Sequence, residues 1–308
     1  MVLPICENVS SKTVNYLSLP LSIIESADDS TYNFIFSKIL SIYAKKRNIL
    51  LKNENSLLVP HCLPFAFWKI FHFRIKLLHN EKNIKDLIVN SLNEKKYVYL
   101  CVNEEYIPQR PTYKKAYFYH ELLIYGYEEN TDKFYTIAFN ENLSYVSQMI
   151  DSRDIINAYK TNKLRRFSFY NIWIRDKYDF TTLNKKLVKI KIFFYFHPIK
   201  RNYGYRAYDC LCYQLKKNYR KKPLDIRSFR TMVDRSLVFS KIKLIIPNLS
   251  KDIDDLIDEN VLKSKLLMKN AIKYCLTQNE KIEPFLIDEI KNYSNNEQKI
   301  LRFIKNNL

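Results

Sequence analysis

YFYHELLIYGYEENTDKFYTIAF, residues 117 to 139, carries the reading of the fold. Its first eleven positions are aromatic and strand-like, and its last seven are of the same kind. EENTD between them is a run of turn formers. Two antiparallel strands follow from that pattern. Upstream, YVYLCV at 97–102 is β-branched and aromatic, and downstream LSYVSQM at 143–149 follows the short turn NEN. The four runs predict a meander, and FSFYNIWI at 167–174 predicts a further strand.

Outside the meander the period changes to 3.6. CENVSSKTVNYL, 6–17, predicts a first helix, since Val9, Thr13, Val14, Tyr16 and Leu17 recur near that spacing. YNFIFSKILSIYAKK at 32–46, FAFWKIFHFRIKLLH at 65–79 and NIKDLIVNSLNEK at 83–95 predict three more. SRDIINAYK at 152–160 adds a fifth, and the chain beyond 180 reads as mostly helical. Helices first, then a sheet, then helices is an α+β order. The expected organisation is a region 1–165 built on the sheet and a mainly helical region 166–308.

Composition bounds the rest. The 308 residues are 47% hydrophobic and 27% charged, which is a folded chain and not a disordered one. There are 24 Tyr and 19 Phe but only two Gly, so turns must lean on Asn, Asp and Lys. The formal net charge of +19 draws polyanions to the surface: nucleic acid, anionic lipid or an acidic protein. The six cysteines form no pattern of a disulfide framework, and they read as reduced thiols of a cytoplasmic protein. Only five residues precede Cys6, too few for the basic region and apolar run of a secretory signal. IKIFFYF, 190–196, is far shorter than the about 20 residues of a membrane span, so no membrane partner is expected.

Two residues suggest chemistry. Cys6 stands where the first predicted helix begins, and a helix N-terminus stabilises a thiolate. His120 lies on a predicted strand. Period-2 alternation turns its neighbour Glu121 to the other face, while Phe118 and Leu122 share the face of His120. A partner for the imidazole is therefore sought on the following strand, which ends in Asn140, Glu141 and Asn142, with Asn140 first in line. Cysteine on an early helix, histidine on a central strand and Asn or Asp on the next strand is the order of papain-like enzymes. Against this, a cysteine is often simply buried, and a single strand histidine is often structural.

HELLIYGYEENTDKFYTIAFNEN, with CENVSSKTVNYL upstream and LDIRSFRTMVDRSLVFSKIKLI at 224–245, resembles papain-like cysteine enzymes of the butirosin biosynthesis protein H type. The resemblance implies a papain-like fold, with an antiparallel sheet packed against an N-terminal helix. It implies a cysteine-dependent acyltransferase of natural-product biosynthesis that joins a carrier-bound acyl group to an amine or diamine. Cys6 is then the nucleophile, His120 the base and Asn140 the orienting residue, where the family commonly has Asp. VDRSLV departs from the family's acidic-His pattern with Asp234 and Arg235. No intrinsic cofactor is implied, but phosphopantetheine is expected on an acidic acyl or peptidyl carrier protein, which the basic surface would attract. Phe118, Tyr119, Tyr125 and Trp68 are candidates to line an aryl pocket, although core packing accounts for such residues as well.

Other readings share these data. A cysteine protease or thioesterase would use the same groups. A basic nucleic-acid-binding protein fits the charge and the interleaved aromatics, yet no zinc finger, helix-turn-helix, RRM or KH signature is present. Cys210 and Cys212 are two apart in a helical run and so face apart. His61 with Cys62, and His72 with His79 on the expected third helix, form no recognisable ligand set.

Overall fold

The computed structural model describes residues 1–13, 15–27, 31–46, 56–60, 70–75, 83–142, 144–162, 169–175, 180, 183–200, 202–218, 224–279 and 281–308. The chain divides into two compact units, one of residues 1–9, 15–29 and 63–179, the other of residues 10–14, 30–62 and 180–308. The division interleaves the N-terminal sixty residues and does not follow a single break near 165.

The first unit is built on a six-stranded antiparallel sheet. In chain order its strands are β3 (Phe71–Ile75), β4 (Tyr97–Asn103), β5 (Tyr119–Glu128), β6 (Lys133–Phe139), β7 (Tyr145–Asp151) and β8 (Phe169–Ile174), and the order across the sheet is β3-β8-β4-β5-β6-β7. The meander β4 to β7 follows the aromatic, strand-like runs of the sequence. β8 inserts between β3 and β4, so Phe71 pairs with Ile174 and Tyr97 with Ile172. FHFRI, expected within a helix, is thus strand β3: Phe71, Phe73 and Ile75 alternate with His72 and Arg74, and pairing with β8 takes up that period.

Helix α1 (Asn15–Ile24) packs on β5 and β6. Leu17, Ser18, Leu19, Leu21, Ser22, Ile23 and Ile24 are all at most 2% exposed, so this helix is buried all round. Its range corrects the expectation of a helix over 6–17. Residues 1–3 instead lie along β5, where Leu3 N–H donates to Tyr125 O at 2.7 Å and Tyr127 N–H to Met1 O at 2.9 Å. Gly126 permits this approach, because a Cβ there would meet Met1 O at 3.0 Å and the Val2 Cα at 3.1 Å. Gly126 lies inside β5, and the hairpin turn falls at 129–132. Helices α3 (Ile84–Asn93) and α4 (Ser152–Lys160) complete the layer on the sheet.

The second unit holds α2 (Tyr32–Ile39), the two-stranded β1 (Ile42–Lys46) and β2 (Ser56–Pro60), and five later helices. These are α5 (Lys185–Phe196), α6 (Arg206–Asn218), α7 (Arg227–Phe239), α8 (Lys251–Thr277) and α9 (Ile282–Asn307). YAKK, expected as a helix end, is part of β1. The core of this unit is α7. Arg235 and Glu297 are fully buried and paired at 2.8 Å, and Tyr208 and Tyr293 donate to the same carboxylate. Asp234 accepts from Ser11 Oγ, Lys12 N–H and Thr13 Oγ1, which binds residues 10–14 to α7. No helix among the described residues is long and apolar enough to cross a membrane.

Candidate active site

His120 is the second residue of β5 and pairs with Val102 of β4. Glu104 lies two residues beyond Val102, diagonal to His120 on the same side of the ribbon, a separation that long side chains span. Asn103 shapes the turn between them. It is 1% exposed, and its Oδ1 accepts from Glu105 N–H and Phe118 N–H. Glu104 N–H donates to Phe118 O at 2.8 Å. As a result Glu104 Oε1 stands 3.1 Å from His120 Nδ1, with the carboxylate 5% exposed and the imidazole 32% exposed. A carboxylate on Nδ1 holds the ring proton there and leaves Nε2 as the acceptor, which is the tautomer we assign.

Nε2 faces Asn15, the first residue of α1, whose Nδ2 is 3.1 Å away and also donates to Glu121 O at 2.9 Å. The imidazole therefore stands at a helix N-terminus, beside main-chain N–H groups that have no partner within the helix. Asn15 Oδ1 is buried without a hydrogen bond. Glu121 Oε2 comes within 3.8 Å of Nε2, so this carboxylate bends back toward the ring despite the alternation of the strand. The Phe118 ring meets the imidazole edge-on at 5.5 Å.

Behind Glu104 lies Arg110. Its Nε is 4.0 Å from Glu104 Oε1, the side chain is 1% exposed, and its three nitrogens have no hydrogen-bond partner. Burial pulls the guanidinium down to about 10, with Glu104 and Tyr145 acting in the opposite direction. A cation so placed offsets the charge of the buried carboxylate that orients the histidine.

The structure does not bring Cys6 to His120. Cys6 N–H donates to Ser22 O at 2.9 Å. Ser22 is seven residues along α1 from Asn15, about 10 Å at the helical rise. Cys6 thus borders the C-terminal half of the helix that meets His120 at its start. The physical reason is the start of α1 at Asn15: residues 1–3 pair along β5, and the chain then leaves the strand so that Cys6 meets the far end of the helix. Asn140 is not on the imidazole either. Its Oδ1 accepts from Asn142 N–H and Ser144 N–H at 3.0 and 2.9 Å and caps the turn between β6 and β7. The ladder between β5 and β6 ends at Leu123–Ile137; carried on, that register would set Asn140 opposite His120, but the Asn140 side chain is engaged in the turn. Glu141 and Asn142 are exposed.

Glu104, Asn15 and Arg110 were not found by pattern. The signal for Glu104 was present in the residues NEE that directly follow YVYLCV, because an antiparallel partner of the histidine strand places the end of that run beside His120. Of the expected aryl-pocket residues, Phe118 and Tyr119 are exposed and Tyr125 is buried. Trp68, His61, Cys62 and His79 lie outside the described residues. His72 is on β3, stacked on Trp173 at 5.1 Å. Cys212 is buried with its thiol toward Ile287 O, and no group of three or more His, Cys, Asp or Glu suited to a metal occurs among the described residues.

No family model matches the chain, and no curated protein is significantly similar to it.

Proposed function

We propose that this chain is an amide-forming acyltransferase in which His120, oriented by Glu104, is the general base. The observation that supports this reading is the buried carboxylate on Nδ1 of a half-buried imidazole at the N-terminus of α1. The substrate class, an acyl thioester on an acidic carrier protein and an amine or diamine acceptor, comes from the sequence resemblance, as does the papain-like architecture; the cytoplasmic setting comes from the cysteine usage.

In this reading the amine nitrogen attacks the thioester carbonyl directly. Nε2 exchanges its contact with Asn15 for the amine and takes its proton as the C–N bond forms. The carbonyl oxygen gathers charge, and the Asn15 amide and the first N–H groups of α1 are the donors on that side. The tetrahedral intermediate collapses, the C–S bond breaks, and the proton on Nε2 passes to the departing thiolate. Asn15 keeps its bond to Glu121 O throughout and so remains in place. Cys6 has no role in these steps.

One observation favours a second reading. Asn15 occupies the helix-start position facing Nε2, where the resemblance calls for a thiol. A chain that keeps the cleft but binds its partner without turnover would show this substitution.

The test is product analysis by mass spectrometry with an acyl-pantetheine thioester and a diamine. Amide formation that survives Cys6→Ala and falls by about 10²–10⁴-fold in His120→Ala supports the direct mechanism. Loss of activity in Cys6→Ala, with an acyl group trapped on that residue in the wild type, restores the covalent route. Thioester binding with no product in any variant supports the second reading.

A further inference from the structure

Helix α5 has two apolar faces. Successive residues turn by about 100°, which puts Val188, Ile192 and Tyr195 on one side, where they are buried. Leu187, Ile190 and Phe194 fall on the opposite side with Phe193 beside them, and they are 36%, 42%, 46% and 47% exposed respectively. Ile199, just past the helix end, is 85% exposed. A surface helix needs only its inward stripe to hold its place, so a second stripe turned to water marks an interaction face.

The chain through this helix carries charge of one sign. Between residues 183 and 208 the chain has seven Lys or Arg and no Asp or Glu. Lys185, Lys186, Lys189 and Lys200 are exposed. An apolar cavity of about 350 Å³ opens at the end of the same helix. Ile42, Phe194, Pro198 and Ile199 line it, and Lys191 and Lys200 stand at its edge.

We propose that this face of α5 docks on the surface of an anionic membrane. Leu187, Ile190, Phe193, Phe194 and Ile199 enter the boundary between headgroups and acyl chains. The lysines meet lipid phosphates, and the cavity receives an apolar tail. An acidic protein would also match the charge, but the residue types decide between the two. Protein interfaces are depleted in lysine, whereas membrane-surface contacts combine lysine with Phe and Leu, the residue types that α5 turns to solvent. With no described helix able to span a bilayer, the association is peripheral. The sequence expectation of no membrane partner rested on the shortness of IKIFFYF as a span, which leaves surface docking open. This proposal is independent of the acyltransferase reading.

Co-sedimentation with vesicles tests it, using phosphatidylcholine alone and phosphatidylcholine mixed with phosphatidylglycerol. The expected result is binding to the mixed vesicles only, weakened by salt. Ile190→Glu with Phe194→Glu should lower the bound fraction by about tenfold or more. So should Lys185→Gln, Lys186→Gln and Lys189→Gln together, because each lysine near an anionic surface adds to the attraction. All five positions are exposed, and circular dichroism checks that the fold is retained. Absence of binding, equal binding to neutral vesicles, or binding unchanged in both variants overturns the proposal. Capture of an acidic carrier protein that both variants abolish, with no vesicle binding, assigns the face to a protein and overturns it as well.

Discussion

Glu104 Oε1 stands 3.1 Å from Nδ1 of His120, joined through the turn that Asn103 shapes between β4 and the strand opposite. The pair comes from β5 and from the residue directly after its antiparallel neighbour β4, and depends on no flexible side-chain search. Replacing Glu104 by Gln keeps the size but offers Nδ1 either an amide N–H or a neutral acceptor, so the tautomer is no longer fixed. Amide formation in Glu104→Gln is expected to fall by about 10²-fold or more, with little change in KM. Steady-state kinetics on the thioester and diamine pair checks this split.

Asn15→Cys places a thiol at the start of α1 beside Nε2. A helix N-terminus and a neighbouring imidazole both favour the thiolate. The introduced thiol is expected to react with iodoacetamide at pH 7 about tenfold faster than an exposed model thiol. Adding His120→Ala should remove that advantage, and mass-mapped labelling rates give the comparison.

The native cysteines of the strands and helices behave oppositely. Burial pushes the Cys101 and Cys212 thiols up to about 12. Both are expected to stay unlabelled by iodoacetamide at pH 8 in the folded protein and to react fully in urea. Peptide mapping before and after unfolding measures this.

The buried pair Arg235–Glu297 should be intolerant of single changes. Arg235→Met leaves the Glu297 carboxyl at 0% side-chain exposure without its cation, beside the hydroxyls of Tyr208 and Tyr293. A loss of about 3–5 kcal/mol is expected, and the double change Arg235→Met with Glu297→Leu should recover much of it. Urea unfolding of the three variants decides.

Asp234 links stability to pH. Desolvation raises its pKa above the ordinary 3.8, against the pull of Arg230 and its hydrogen bonds. Above pH 3.8 the folded chain therefore holds a proton that the unfolded chain has released, and this group's contribution declines as pH rises through the raised value. Asp234→Asn lacks that dependence. Its stability relative to wild type should be higher at pH 7 than at pH 4.5, read from urea midpoints at the two values.

The meander from Tyr97 to Asp151 was legible because its runs are rich in β-branched and aromatic residues and the turns between them carry their own chemistry. α3 and α4 were legible from apolar spacing at period 3.6. Residues 6–17 misled because their apolar spacing fits a helix, yet Leu3 and Gly126 draw the start of the chain onto β5 and α1 begins at Asn15. FHFRI misled because its alternation, Phe71, Phe73 and Ile75 against His72 and Arg74, is embedded in the longer apolar stretch FAFWKIFHFRIKLLH.

The sequence by itself determined the α+β class, the strand that carries His120 and the basic, lysine-rich character of the chain. These follow from strand-forming residues, turn residues and charge, which act over a few positions. The tertiary structure decided what His120 touches. Asn15, Glu104 and Arg110 come from a helix, a strand end and a loop that meet only when β4 pairs with β5 and α1 packs across the sheet. Cys6 and Asn140, selected by their order along the chain, are held elsewhere by the main-chain bond to Ser22 and by a turn cap. Order along a chain does not fix distance across a sheet; strand register does.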